Sequence, residues 1–422
     1  MVRKIHRLLA EACVTALQAV FTDGMVADRA VGRALGANPK WGSRDRSFVA
    51  GTVYEVVRWR RRLEVLAGVT AGPDPGGEDD GVPAPEETGA EAGAETPNHW
   101  WRLCGILWQS QSYERPDWAP WPEVPSEVLA VRESTLSAAP LAVRASLADG
   151  FDSLGSSGLG DRWEPELAAL NQPAPVFLRV NTLRTKVPAV QKELREHALE
   201  TAPVPGAPAA LRVLDGKAVP ARLRDGGHFE IQDAGSQQVA LFLLPEPGQR
   251  VVDACAGAGG KTLHLAALMA GKGELRALDV EPAKLAVLRQ RAARAGAKVW
   301  TSTVSDEVLR GMAGWADRVL VDAPCSGSGT LRRQADLKYR ITPASVAGMQ
   351  EVQRTVLTHC APLVRPGGRL VYATCSVLPA ENQAQAAWFS HTFPEFEFEE
   401  DRVISPAETG WDGFYMARWR RK

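Results

Sequence analysis

Two cysteines, each closing an apolar run late in the chain, are the side chains best placed for covalent chemistry. Cys325 lies in Arg318-Val-Leu-Val-Asp-Ala-Pro-Cys-Ser-Gly-Ser-Gly-Thr330, and Cys375 in Arg369-Leu-Val-Tyr-Ala-Thr-Cys-Ser376. Both runs read as short buried strands followed by turn residues, so both thiols are expected at strand ends of one open sheet. That rim is where α/β proteins build their sites. A thiolate held there can attack a carbon, and a second thiol beside it can manage protons. A cysteine alone is more often a small buried hydrophobe. The flanking residues argue otherwise: Asp322-Ala-Pro-Cys325 sets a carboxylate, a rigid turn and a thiol in one strand exit. Gly327 and Gly329 then allow backbone to approach a ligand closely.

A second constellation precedes this one. Val251-Val-Asp-Ala-Cys-Ala-Gly-Ala-Gly-Gly-Lys-Thr262 runs from a strand through a glycine-rich turn into a helix. It is not a phosphate-binding P-loop, because Cys255 stands where the first glycine belongs. Nor is it the dinucleotide pattern, since Thr262 replaces the third glycine. What remains is an early acid, Asp253, and a tight turn; Asp279, 26 residues on, ends the next strand. An acid there can accept hydrogen bonds from a ribose diol. The combination favours a nucleoside cofactor without a phosphate chain, and S-adenosylmethionine fits. The alternative is a tight strand–helix turn with no ligand. Asp306, after Thr301-Ser-Thr-Val-Ser305, falls near the next expected strand end, within reach of an adenine.

These groups need elements to position them. At 422 residues, 45% hydrophobic and 23% charged, the chain has room for two or three domains. No apolar run approaches the roughly 18–20 residues that span a bilayer. Apolar positions from Ile5 to Val20 repeat at helical spacing, which reads as an amphipathic helix rather than a signal peptide. Six cysteines show no CxxC spacing, which argues against a metal site and for a reduced cytoplasm. The net charge of −1 hides an asymmetry: residues 72–98 carry eight acids and no Lys or Arg. Residues 1–70 hold twelve Lys and Arg against six Asp and Glu, a balance compatible with nucleic acid.

Residues 4–21, 25–36 and 43–67 read as helices. The stretch from Thr70 to Pro97, rich in Gly, Pro, Ala and Glu, cannot bury enough surface to fold. Trp100, Trp101, Trp108, Trp118 and Trp121 follow, better suited to filling a helical core than to stacking on bases. Residues 160–236 form a smaller mixed segment, with a strand at 176–182, a helix at 186–198 and extended pieces at 211–214 and 228–232. From 237 onward, strands at 250–254, 274–279, 318–322 and 369–374 alternate with helices such as 282–295 and 343–361. That alternation requires a mostly parallel sheet covered on both faces.

With these pieces assembled, the chain resembles the bacterial Sun (Fmu) family of 16S small-subunit ribosomal RNA cytosine-5 methyltransferases B, within the wider NSUN group. The resemblance rests on residues 253–262, 277–280 and 322–329, on Arg332-Arg333 with Asp336-Leu-Lys338, and on Ala373-Thr-Cys-Ser376 with Glu381-Asn382. Residues 177–182, 232–237 and 412–415 also carry it. Residues 1–70 are similar to the NusB-like helical domain of this group. It implies an α/β protein in three parts. An all-helical NusB-like RNA-binding domain spans 1–150, with a disordered acidic insertion at 72–98. A small RRM-like α+β domain spans 160–236, and a Rossmann-like class I S-adenosylmethionine-dependent methyltransferase domain spans 237–422.

The resemblance also implies roles. Cys375 would add to cytosine C6, because C5 is too poor a nucleophile to take a methyl group until C6 has been attacked. Asp322 would hydrogen-bond N3, and Cys325 would assist loss of the C5 proton and release of the enzyme. Cys255, Ala256, Gly257, Ala258, Gly259, Gly260 and Lys261 would wrap the cofactor, with Asp279 on the ribose, Asp306 on the adenine and Asp322 close by. Arg179, Asn181, Arg332, Arg333 and Lys338 are candidates to hold RNA. Members often carry proline where this chain has Ala258, and also where it has Ala335. The expected protein is a cytoplasmic monomer acting on small-subunit rRNA, with no metal and no membrane. Transfer RNA or another rRNA site is the alternative substrate. Two rivals stand beside it: a DNA-type enzyme with Cys325 as nucleophile, and a non-catalytic RNA-binding assembly factor.

Overall fold

Residues 3–69, 97–214 and 218–422 are described by a computed structural model. The acidic stretch 72–98, expected to be disordered, lies outside these residues apart from its last two. The chain divides into two units: Met1–Asn171 with Leu331–Ser345, and Gln172–Thr330 with Val346–Lys422.

The first unit is helical. Arg7–Phe21, Ala27–Gly36 and Ser43–Ala67 fall on the three expected helical patterns, and Pro97–Ser110 and Ser126–Ala138 follow. Leu17, Val53 and Val56 pack with Leu103 in one core. Trp100, Trp108 and Trp121 are buried in it, Trp101 stacks on Trp121 at 5.4 Å, and Trp108 Nε1 donates to the Thr52 hydroxyl at 3.0 Å. The tryptophans therefore fill the core. The unit runs past residue 150 to Asn171 and takes in 331–345, from the stretch expected to be wholly methyltransferase. Side-chain chemistry explains this. Lys338 is fully buried, its amino group donating to the carbonyls of Arg58 at 2.8 Å and Ala145 at 2.9 Å. Arg332 donates to the Ala169 carbonyl at 3.0 Å, and Arg58 donates to the Arg332 carbonyl at 2.9 Å.

The second unit holds two sheets. The smaller is antiparallel, in the order β2-β3-β1-β4, from β1 (Phe177–Val180), β2 (Thr201–Val204), β3 (Ala207–Val213) and β4 (Phe229–Ile231). The larger contains β5 (Arg250–Asp253), β6 (Glu274–Asp279), β7 (Trp300–Thr303), β8 (Ala316–Asp322) and β9 (Val364–Thr374). Its order is β10-β11-β9-β8-β5-β6-β7, completed by β10 (Phe396–Ile404) and β11 (Phe414–Arg421). β9 to β7 in that order are parallel, a Rossmann-like arrangement, and β11 and β10 add antiparallel. Val251, Val252, Val319, Leu320 and Val321 are all fully buried, as continuous apolar runs in a doubly covered sheet must be. Helix Pro282–Ala295 starts on proline, whose missing N–H costs nothing in the first turn, and stops at Gly296 in the left-handed region. The two C-terminal strands were not expected. Four consecutive charges, Glu399 to Arg402, mask the pattern of β10, and some are used within the sheet: Glu399 accepts from Arg369 at 3.0 Å and Arg418 at 2.6 Å.

Candidate active site

β5, β6, β8 and β9 end on the same edge of the sheet, at Asp253, Asp279, Asp322 and Thr374. β6 lies on one side of β5 and β8 on the other, so the edge contains a topological switch point, where open α/β sheets leave a crevice.

β8 and β9 are neighbours, with Asp322 opposite Ala373. Cys325 and Cys375 therefore leave the sheet side by side, and their sulfurs lie 3.4 Å apart, both half-buried. Gly329 is needed for this closeness. Its N–H donates to the Cys375 carbonyl at 2.9 Å, and a Cβ there would sit 2.3 Å from the Gly413 carbonyl oxygen. The Cys325 thiol is held well above its ordinary range, first by its hydrogen bond to Cys375, then by burial, with the charges of Cys375 and Glu381 adding. Either thiol can donate in this contact. Burial likewise raises Cys13 and Cys360 to about 12. Cys104 and Cys255 are also pushed well up, mainly by burial, so these four thiols are inert.

Lys261 reaches from the glycine turn to Asp322, Nζ to Oδ2 at 2.6 Å. Burial opposes its charge, but Asp322, Cys375 and Asp253 together raise its pKa. The lysine is a fixed ammonium beside the thiols. Below it, Asp253 is buried; Oδ2 accepts the Thr262 hydroxyl at 2.7 Å while Oδ1 has no partner. Burial pushes this carboxyl up to about 7, against the Thr262 hydrogen bond.

The turn itself is shaped by Gly259 at φ +90°, where a Cβ would meet Leu288 at 2.7 Å. Asp279 accepts the N–H of Gly257 at 2.7 Å on one oxygen and of Glu281 at 2.8 Å on the other. A carboxylate has about four acceptor sites, so both oxygens retain capacity for a diol. Val280, next in sequence, is 72% exposed, an apolar side chain bare at this edge. Asp306 is exposed and opens helix Asp306–Arg310 after β7. Acceptors for a sugar, a close backbone turn and an apolar surface together fit a nucleoside such as that of S-adenosylmethionine. Among the described residues no group of three or more His, Cys, Asp or Glu could hold a metal ion. No helix among them is long and apolar enough to cross a membrane.

The residues expected to hold RNA fall in both units. Lys338 and Arg332 are buried in the helical unit with donors committed to its carbonyls, and Arg333 is half-buried in the same segment. Asn181 is buried, donating to the carbonyls of Gly227 at 2.8 Å and Ala295 at 2.9 Å. Arg179 is buried and donates to Gln232 and to the Gly260 carbonyl. Its position makes it a clamp on the glycine turn. Arg291 holds the same turn, donating to the Ala258 carbonyl at 2.6 Å and to Glu230 at 2.9 Å. Neither clamp was legible in spacing, because the partners lie 33–81 residues away.

Residues 240–420 match the model of the 16S rRNA methyltransferase RsmB/F domain, and residues 156–220 match the RsmF/B-like ferredoxin-like domain. Over these regions the chain is similar to RsmB/F methyltransferases. A probable ribosomal RNA small subunit methyltransferase B from Synechocystis is 39% identical over 245 residues, 57% of this chain and 55% of that protein. The chain thus spans little over half the length of this curated relative. Among solved structures, PH0851 shares the fold over 99% of both chains, at a TM-score of 0.75 and 22% identity. A methyltransferase homologue from Pyrococcus horikoshii is 27% identical, at a TM-score of 0.60 over 67% of this chain and 97% of that one. The RsmB/F match covers every residue of the cysteine pair and the glycine turn.

Proposed function

We propose that this chain is an S-adenosylmethionine-dependent RNA cytosine-5 methyltransferase acting on small-subunit rRNA through a covalent Cys375–C6 adduct. The observation that carries the reading is the 3.4 Å thiol pair beside the Lys261–Asp322 pair, at the carboxyl edge of a Rossmann-like sheet. Binding alone needs no thiol pair, which disfavours a non-catalytic assembly factor. The RsmB/F match supports rRNA as the substrate class.

The residues divide the work. The Cys375 sulfur pair forms a bond to C6, and the C5–C6 π pair becomes available at C5. Asp322, fixed by Lys261, stabilises the protonated N3 side of the ring. S-adenosylmethionine supplies the methyl group to C5 when bound, held by residues 255–261, with Asp279 at the ribose and Asp306 at the adenine. Release then needs a base. Once Cys375 is bonded to carbon, Cys325 is the thiol left beside it. Having lost its own proton to solvent, it takes the C5 proton as a thiolate; the C5–H pair re-forms the C5–C6 double bond, the C6–S pair returns to Cys375, and N3 gives up its added proton. The base must be unstacked to expose C5 and C6 together.

Trapping tests this. With S-adenosylmethionine and total RNA, Cys325→Ala should accumulate an SDS-stable RNA–protein species, while Cys375→Ala should give neither adduct nor 5-methylcytidine. Sequencing the trapped RNA should return small-subunit rRNA. Trapping by Cys375→Ala and not by Cys325→Ala would reverse the assignment and make Cys325 the nucleophile.

A further inference from the structure

Beneath the two thiols lies a carboxylate that the mechanism above does not use. Glu381 is fully buried, on the turn that follows β9. Its Oε1 accepts the Ser326 N–H at 2.8 Å and the Gln353 side-chain amide at 3.1 Å. Its Oε2 accepts the hydroxyls of Ser326 at 2.5 Å and Ser376 at 2.6 Å. Four donors saturate a carboxylate, and among the described residues no cation pairs with it. Ser326 follows Cys325 and Ser376 follows Cys375. One buried charge is therefore bonded to the residue after each reacting thiol.

The two loops depend on it unequally. The β9 exit has other anchors: Asn382 Nδ2 donates to the Ser376 carbonyl at 2.9 Å, and Thr374 donates to Asn382 at 2.6 Å. Ser326, by contrast, gives both its N–H and its hydroxyl to Glu381. Gln353 donates at 3.1 Å to the Pro324 carbonyl as well as to Glu381, so the Cys325 loop is tied to the same carboxylate from both sides. Removing the carboxylate frees Cys325 more than Cys375.

We infer that Glu381 is a positioning residue that holds Cys325 over the Cys375 adduct for the release step. The inference rests on the two-cysteine reading above. A base displaced by about 1 Å can lose about 100-fold in rate, and that loss falls on the step Cys325 performs. Glu381→Gln keeps the shape: its amide oxygen faces Ser326 N–H and Gln353, both pure donors, and its NH2 faces hydroxyls that can rotate to accept. Glu381→Ala removes the acceptor that all four donors share.

The experiment measures formation and decay of the SDS-stable RNA adduct in single-turnover reactions, with S-adenosylmethionine affinity measured alongside. Glu381→Ala should slow decay about 100-fold while slowing formation less than 10-fold, so that adduct accumulates at unchanged cofactor affinity. Glu381→Gln should recover most of the decay rate. Ser326→Ala, which deletes one hydroxyl and spares the fold, should show the same imbalance more weakly. Equal losses in formation and decay across all three variants, or normal decay in Glu381→Ala, would overturn the inference. Cys325→Ala and Cys375→Ala run in parallel separate the two failures: if Cys325→Ala does not trap RNA, the parent reading has failed, and with it the role given to Glu381.

Discussion

Asp253→Asn should remove a pH-dependent weakness from the catalytic fold. Asp253 is 1% exposed, and burial raises its carboxyl from an ordinary 3.8 to about 7. Between those values the folded chain keeps a proton that the unfolded chain releases. Its contribution is therefore complete at low pH, falls as pH rises through this window, and levels off above about 7. About three pH units at 1.36 kcal/mol each comes to about 4 kcal/mol. Between pH 5 and 8 about two of those units are crossed, or roughly 3 kcal/mol. Asparagine carries no charge to desolvate, and its oxygen can accept the Thr262 hydroxyl. Thermal unfolding followed by circular dichroism at pH 5, 6, 7 and 8 reads the difference. At about 2–4 °C per kcal/mol for a unit of this size, the variant should gain roughly 6–12 °C on the wild type across that range. Other titrating groups move both proteins alike and cancel. Midpoints that run parallel from pH 5 to 8 would refute the raised carboxyl and the burial argument behind it.

Arg179→Ala should weaken S-adenosylmethionine binding by about 10-fold through a loosened glycine turn, about the worth of one charged hydrogen bond. The salt dependence of RNA binding should not change; a slope reduced by about one would return Arg179 to a phosphate. Lys338→Met leaves the Arg58 and Ala145 carbonyls unpaired and should destabilise the helical unit by about 2–4 kcal/mol, read as a lower denaturant midpoint. Lys261→Met leaves Asp322 without its counter-charge and should cut single-turnover methylation by about 100-fold. Rapid-quench measurement of 5-methylcytidine checks it.

The parts of this molecule that the sequence exposes are those written locally. Apolar runs ending in Asp253, Asp279, Asp322 and Thr374 announce parallel strands, and once they are parallel neighbours their ends share an edge. The cysteines had to meet because β8 and β9 pair. What stays hidden is the partner of each polar group when that partner is distant in sequence. Arg179, Asn181 and Lys338 look like free cations or amides in a string of letters. Each turns out to spend its donors on backbone 46–280 residues away. Glu381 was visible only as a letter in a motif, since nothing in its spacing points to Ser326, 55 residues earlier. The C-terminal strands were masked for a related reason: their charges look solvated until Arg369, Glu399 and Arg418 are seen side by side.

Residues 331–345 have a bearing on how such a protein can be inherited. The chain passes from one unit to the other at three points, because this stretch lies within the sheet-bearing sequence yet belongs with the helices. A terminal fusion is the simplest way for a gene to acquire or shed a module, and here it is closed. A reading frame opened after Asn171 would still encode Ala335, Lys338 and Tyr339, all buried, without the helices that cover them. Recombination that exchanged the helices for those of a cousin would succeed only by exchanging the short internal stretch as well. The two coding blocks lie some 160 codons apart, so they should drift together as one heritable trait rather than as independent cassettes.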